Sequence, residues 1–231
     1  MNLFDFPLFP ESASTFSGQV DALYFFSLAV SAFFSLLIAA AAIFLMVRYK
    51  RKHKDEVGAP IHGSLTLEIA WSFIPLVVTM VLFAWGAKVY FDTTTPPTDA
   101  REYFVTGKQW MWKAQHPEGQ REINHLHVPV DTPIKLTMTS EDTIHSFYIP
   151  AFRIKRDVLP GRYTTVWFEA TKTGTYHLFC AEYCGAEHSK MIGSVIVMEQ
   201  DEYQNWLSGG LEAISPIASG EKLFEQYACN T

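Results

Sequence analysis

The 231-residue chain has a formal net charge of -6 and a sequence pI near 5.7, and 48% of its residues are hydrophobic. That acidity excludes nucleic acid as the partner, which a basic footprint would mark. The length admits one or two domains, and the apolar residues crowd into two runs near the N-terminus.

The first run, "ALYFFSLAVSAFFSLLIAAAAIFLMV", extends from Ala22 to Val47 without a charged residue. The second, "IAWSFIPLVVTMVLFAWGA", extends from Ile69 to Ala87. Crossing an apolar layer of ~30 Å takes about 20 helical residues. Both runs predict membrane helices, since soluble core helices rarely run so long without charge. A cleaved signal peptide is excluded for the first. Its apolar stretch is too long, and the preceding "MNLFDFPLFPESASTFSGQVD" is acidic rather than basic. Between the runs, "RYKRKHKDE" places Arg48, Lys50, Arg51, Lys52 and Lys54 in one short loop. Short basic loops stay on the cytoplasmic side. The N-terminal segment and everything after Ala87 are therefore expected outside, with Trp85 and Tyr90 at the outer interface.

Beyond the linker "FDTTTPPTD" the pattern changes to short runs rich in Val, Ile, Thr, Tyr and Trp. These are "EYFVTG", "QWMWKAQ", "EINHLHVPV", "IKLTMTS", "YTTVWFEA", "TGTYHLFC" and "MIGSVIVME". Turn residues separate them, so an all-β sandwich or barrel is predicted. "DEYQNWLSGG" predicts a short closing helix stopped at Gly209–Gly210.

Two of the three cysteines lie in "CAEYCGAEHSKM", residues 180–191. An oxidising compartment favours a disulfide between Cys180 and Cys184, and a pair of buried, inert thiols is the second reading. Neither accounts for His188 and Met191 in the same loop. Metal coordination uses all four. Zinc sites rarely take a thioether, whereas thiolate, imidazole and a weak Met ligand together point to copper. A second imidazole is needed, and "SEDTIHSFYIP" supplies His145. Two bridging thiolates hold two copper ions close together, each ended by one imidazole, with Met191 on one and a loop carbonyl on the other. So closed a ligand set leaves no position for substrate, which favours electron transfer. His116, His125, His127 and His177 read as strand or turn residues.

These motifs, C-x3-C-x3-H-x2-M with an upstream S-E-D-x-x-H, resemble the dinuclear copper A centre of subunit II of the haem–copper cytochrome c oxidases. The resemblance covers nearly the whole chain, helix hairpin included. It implies a membrane α + β architecture in which a two-helix transmembrane hairpin precedes a cupredoxin-like Greek-key β-sandwich. On that reading residues 1–21 are an extracytoplasmic segment and 22–91 the hairpin, with its basic loop near 48–56. Residues 92–208 are the copper A domain, and 209–231 a linker with the possible start of a truncated cytochrome c domain.

The resemblance also implies the roles. Cys180 and Cys184 match the bridging thiolates, His145 and His188 the imidazoles, and Met191 the thioether. Glu182 matches the residue whose carbonyl binds copper and whose side chain reaches magnesium at subunit I. Trp110, in "GKQWMWKA", matches the point of electron entry from cytochrome c. Residue type alone makes Trp110 and Trp112 same-face strand neighbours. Glu118, Glu122 and Asp142 are acids near that surface that would steer a basic cytochrome c. Glu68, in "LEIAWSFIP", matches the entrance of a proton pathway into subunit I, and Pro75 is expected to kink its helix. The partners implied are subunit I, other oxidase subunits, cytochrome c and membrane lipid.

"SGEKLFEQYACNT" resembles the opening of a class I cytochrome c domain, whose haem signature is C-x-x-C-H. Two readings follow: a fused domain that continues past Thr231, which is the expectation and would alone bind haem c, or Cys229 as a lone tail thiol. The fused domain favours a bacterial inner membrane over a mitochondrial one. Quinol-oxidase relatives lack the copper ligands. Nitrous oxide reductase would need a large additional domain, and a copper-delivery protein would expose fewer, more labile ligands.

Overall fold

The computed structural model describes residues 10–58, 60 and 62–209. The tail that resembles a cytochrome c opening, Cys229 included, lies outside the described residues. The chain divides into two units, Phe16–Thr95 and a second made of Met1–Thr15 with Pro96–Thr231.

The first unit holds helices α1 (Ser17–Arg48) and α2 (Leu65–Thr94). At about 1.5 Å per residue both exceed the ~30 Å of a hydrocarbon layer. They begin before and end after the charge-free runs, because backbone bonding continues into the flanking polar residues. Their apolar windows have no share buried inside the protein, so lipid or other protein must cover them. Phe26 and Trp85 pack across the pair at 5.6 Å between ring centroids. The Ser64 hydroxyl caps α2 by accepting from the Leu67 N–H. Glu68 sits in the first turn of α2. Pro75 lies inside the helix and, lacking an N–H, cannot bond the carbonyl four residues back.

The second unit is the expected β-sandwich. One sheet takes β1 (Arg101–Lys108), β2 (Met111–Gln115), β3 (Arg121–Ile123), β5 (Pro133–Ser140) and β8 (Thr164–Glu169) in the order β3-β2-β1-β5-β8. The other takes β4 (His125–Pro129), β6 (His145–Ile149), β7 (Ile154–Val158), β9 (Gly174–Cys180) and β10 (Ile192–Met198) in the order β4-β10-β9-β6-β7. Alternate residues point inward, as the strand period demands. In β5 every second residue, Ile134, Leu136 and Met138, is fully buried. Tyr103, Trp112 and Phe147 complete the centre of the core. Helix α3 (Gln200–Leu207) is the last element among the described residues, and Gly209, at φ +86°, accepts the left-handed turn that ends it.

The run "EINHLHVPV" is not one strand. Asn124, at φ 59°, breaks it, so that β3 belongs to one sheet and β4 to the other. Asparagine tolerates this region because its side chain bonds locally. Here Asn124 Oδ1 accepts from the Trp112 N–H at 2.9 Å.

The segment before α1 belongs with the sandwich. Ala13 donates to the Ala151 carbonyl and accepts from the Thr171 N–H, both at 3.0 Å, and Ser14 bridges Ala170 in antiparallel fashion.

Candidate metal centre

Four segments converge at one end of the sandwich. Strand β6 begins at His145, and β9 ends at Cys180. The loop from Ala181 to Glu187 carries Cys184, and a short 3-10 turn, His188–Lys190, leads into β10 with Met191 just before it. Strand β6 pairs with β9 so that Phe147 faces Cys180. A strand end followed by an irregular loop lets both sulfurs turn to the same point. A continuing strand would send Cys180 and Cys184 off at a fixed spacing.

Cys180 and Cys184 are both free thiols, with Sγ atoms 3.8 Å apart. The disulfide reading therefore does not hold. His145 Nδ1 lies 3.9 Å from Cys180 Sγ, and His188 Nδ1 lies 3.5 Å from Cys184 Sγ. Met191 Sδ is 3.8 Å from Cys184 Sγ, and the Glu182 carbonyl is 3.2 Å from Cys180 Sγ. His145, Cys180, Cys184 and Met191 are buried, while His188 is half-buried. All six sequence-designated ligands thus come together. Ligand atoms of His145, Cys180 and Cys184 lie within 4.8 Å of one another, as a bound metal requires.

Electrostatics argues the same way. Burial, the neighbouring Cys180 and the Asp142 charge push the Cys184 thiol up to about 12. Two adjacent buried thiols ionise together only when a cation compensates them. The histidine beside them is already oriented. Burial raises the Asp142 carboxyl, but the Gln109 backbone N–H, the His145 ring and the Thr143 N–H outweigh it and hold it at about 2. An ionised carboxylate only accepts. His145 Nε2, 2.8 Å from Asp142 Oδ1, must therefore carry the proton. That leaves the Nδ1 lone pair directed at the sulfurs, the arrangement that usually backs a ligating imidazole. The donor set fits soft metal ions, copper above all.

The hairpin β1–β2 walls the site. Trp112 stands edge-on to His145 at 5.9 Å. A Cβ on Gly107 would come within 2.9 Å of the His145 ring, so only glycine fits there. Trp110 lies in the turn before β2 rather than on the strand, which corrects its pairing with Trp112 as a same-face neighbour. Its indole borders the loop: a Cβ on Gly185 would lie 3.4 Å from Trp110 Nε1. Trp112 is the buried core residue.

Glu182 is exposed on the loop. Glu68 belongs to the other unit and is also exposed; its nearest constraint is Gly63, where a Cβ would meet Glu68 Oε1 at 3.0 Å. Of the three surface acids, Glu118 and Asp142 are exposed, as expected, and only Glu122 departs from that reading. Glu118 pairs with Arg101, and Asp142 serves His145. Glu122 turns inward and bridges two imidazoles, His116 Nε2 at 2.6 Å and His127 Nδ1 at 2.5 Å. His116 Nδ1 continues to the Tyr203 hydroxyl at 3.0 Å, and Trp206 stacks on His127 at 4.4 Å. Sequence reasoning passed over this cluster because its members are spread from His116 to Trp206 along the chain. It also passed over Gln109. Asp142 was within reach, three residues before His145 in S-E-D-x-x-H.

Comparison with known proteins identifies two matching family models. "Cytochrome C oxidase subunit II, transmembrane domain" matches residues 2–89, and "Cytochrome C oxidase subunit II, periplasmic domain" matches residues 118–200. Cytochrome c oxidase subunit 2 of Synechocystis sp. is 28% identical over 254 residues, covering 89% of this chain and 76% of that protein. The subunit 2 of Alkalihalophilus pseudofirmus is 31% identical over 216 residues, covering 88% of this chain and 63% of that protein. The solved periplasmic domain of subunit II of cytochrome oxidase from Bradyrhizobium japonicum is 32% identical, with a TM-score of 0.48, over 50% of this chain and 96% of that one.

Proposed function

Because the chain belongs to the cytochrome c oxidase subunit II family, we propose that it is the electron-entry subunit of a haem–copper terminal oxidase, an oxidoreductase whose oxygen chemistry lies in another subunit. The observation that carries this reading is the pair of free, buried thiols 3.8 Å apart, flanked by two imidazoles and a thioether.

Cys180, Cys184, His145, His188, Met191 and the Glu182 carbonyl would together hold a dinuclear copper A centre. When bound, the copper pair supplies one-electron oxidation and reduction between cytochrome c, or a fused cytochrome c domain, and the haem of subunit I. The protein's own residues do the rest. Asp142 holds the His145 tautomer. Buried Cys180, Cys184 and Met191 exclude water from the donor set. Trp110 borders the loop and offers an aromatic path inward from the surface. Exposed Glu182 is free to reach a magnesium ion at the subunit I contact. Glu68, at one end of α2, offers a carboxylate to a proton pathway.

The hairpin anchors the chain in a bacterial inner membrane, with the copper domain on the outer side. The basic loop supports that orientation, and so does the packing of residues 13–15 against the sandwich. The account requires Cys184→Ser in the assembled oxidase to lose copper from this subunit. Oxygen uptake driven by cytochrome c should then fall to background while the haems stay in place. Full copper content and uptake in that variant would refute the assignment.

A further inference from the structure

The loop that presents Cys184 has few ties to the rest of its domain. His188 N donates to the Gly185 carbonyl, Lys190 N to Glu187 and Met191 N to His188, all within the loop itself. Ala181 N donates to Ser146 at the loop's root. Among the described residues, one hydrogen bond alone joins positions 182–187 to anything outside 180–191. It runs from Gln109 Nε2 to the Cys184 carbonyl, at 2.7 Å.

Gln109 makes a second contact of consequence. Its backbone N–H donates to Asp142 Oδ2 at 2.8 Å, and the other carboxylate oxygen faces His145 Nε2 at 2.8 Å. One residue of the β1–β2 turn therefore touches both sides of the donor set. Through its side chain it holds the Cys184 loop, and through its main chain it holds the carboxylate that orients His145. Local fit agrees. Gly185 sits at φ +121°, and a Cβ there would come within 2.9 Å of Gln109 Nε2. The glycine lets the amide approach the loop backbone closely.

We propose that Gln109 is a positioning residue for the metal centre: its side-chain amide fixes the Cys184 carbonyl, and so sets the separation of the two sulfurs and of His188 behind them. The inference rests on the copper reading above. It differs from any surface role for this turn, because the amide points into the loop even though the residue as a whole is exposed.

The test uses the whole oxidase, with Gln109→Leu and Gln109→Glu. Both keep the bulk of glutamine and remove the donor, one without charge and one with it. The readouts are copper loss from this subunit to an excess of chelator, and the thiolate-to-copper absorption of the copper-loaded fraction. A net hydrogen bond is worth a factor of about five in an equilibrium. Copper loss is therefore expected to quicken about fivefold in both variants, and the absorption band to shift. A residue serving only the fold would lower the amount of loaded protein and leave the spectrum of that fraction unchanged.

Wild-type retention and spectra in both variants would overturn the proposal. So would an effect in one variant only, since the shared loss is the donor. Failure of both to assemble would overturn it too, placing the residue's contribution in folding. Absence of copper from the wild-type subunit is a separate outcome, and it would refute the copper reading itself.

Discussion

Trp110 is the residue at which geometry and role meet most closely. Its indole lies against Gly185, one residue from a proposed bridging sulfur, and the residue as a whole is half-buried. Its indole Nε1 has no hydrogen-bond partner among the described residues. Trp110→Ala is expected to leave the copper content intact and to slow electron entry from cytochrome c by about tenfold or more, ~1.4 kcal/mol of barrier. Stopped-flow reduction of the purified oxidase measures it, and an unchanged rate would remove Trp110 from the path. At this scale the proposed loop ligands were legible because C-x3-C-x3-H-x2-M is local, and its residue types select a soft metal. His145 was legible through S-E-D-x-x-H. Gln109 was not, because 75 positions separate it from Cys184 and glutamine carries no metal signature.

Among the elements, α3 shows how a short helix is held. Alone, eight residues do not sustain a helix in water. Tyr203 is fully buried and bonds both Tyr103 and His116, and Trp206 lies on His127. Glu122 is the charge at the centre. Burial raises its carboxyl, but bonds from the rings of His116 and His127 and from the His127 N–H outweigh that and hold it at about 2. Its folded value lies below the usual ~4.3 of glutamate. The stabilisation is thus complete above about pH 4.5 and lost as pH falls toward 2, an effect on the order of 2–3 kcal/mol. Glu122→Gln is expected to melt several degrees lower than wild type at pH 6, with the gap narrowing by pH 3. Thermal unfolding followed by circular dichroism measures it, and a gap independent of pH would show that the carboxylate charge contributes nothing. Legibility varied among the strands. Those with regular alternation, such as β5 and β10, stood out in the sequence. Strand β7 did not, since Lys155, Arg156 and Asp157 all lie exposed between two buried ends. The break at Asn124 was invisible because a positive φ at one residue leaves the apolar pattern unchanged.

For the molecule as a whole, the two apolar runs and the basic loop between them already implied a membrane hairpin with an outer β-domain. The structure adds the pairing of residues 13–15 with the sandwich, a contact between segments more than a hundred positions apart that no periodicity reveals. The membrane unit and the β unit divide the work: one anchors, the other presents sulfur and imidazole at a buried point away from solvent. Everything assigned to this chain depends on what that point holds. The most direct measurement is the metal content of the purified wild-type oxidase, resolved by subunit and read together with the visible spectrum. The account expects about two copper ions at this subunit and strong thiolate-to-copper absorption. A single copper, zinc in its place, or Cys180 and Cys184 joined as a disulfide in the active complex would contradict it.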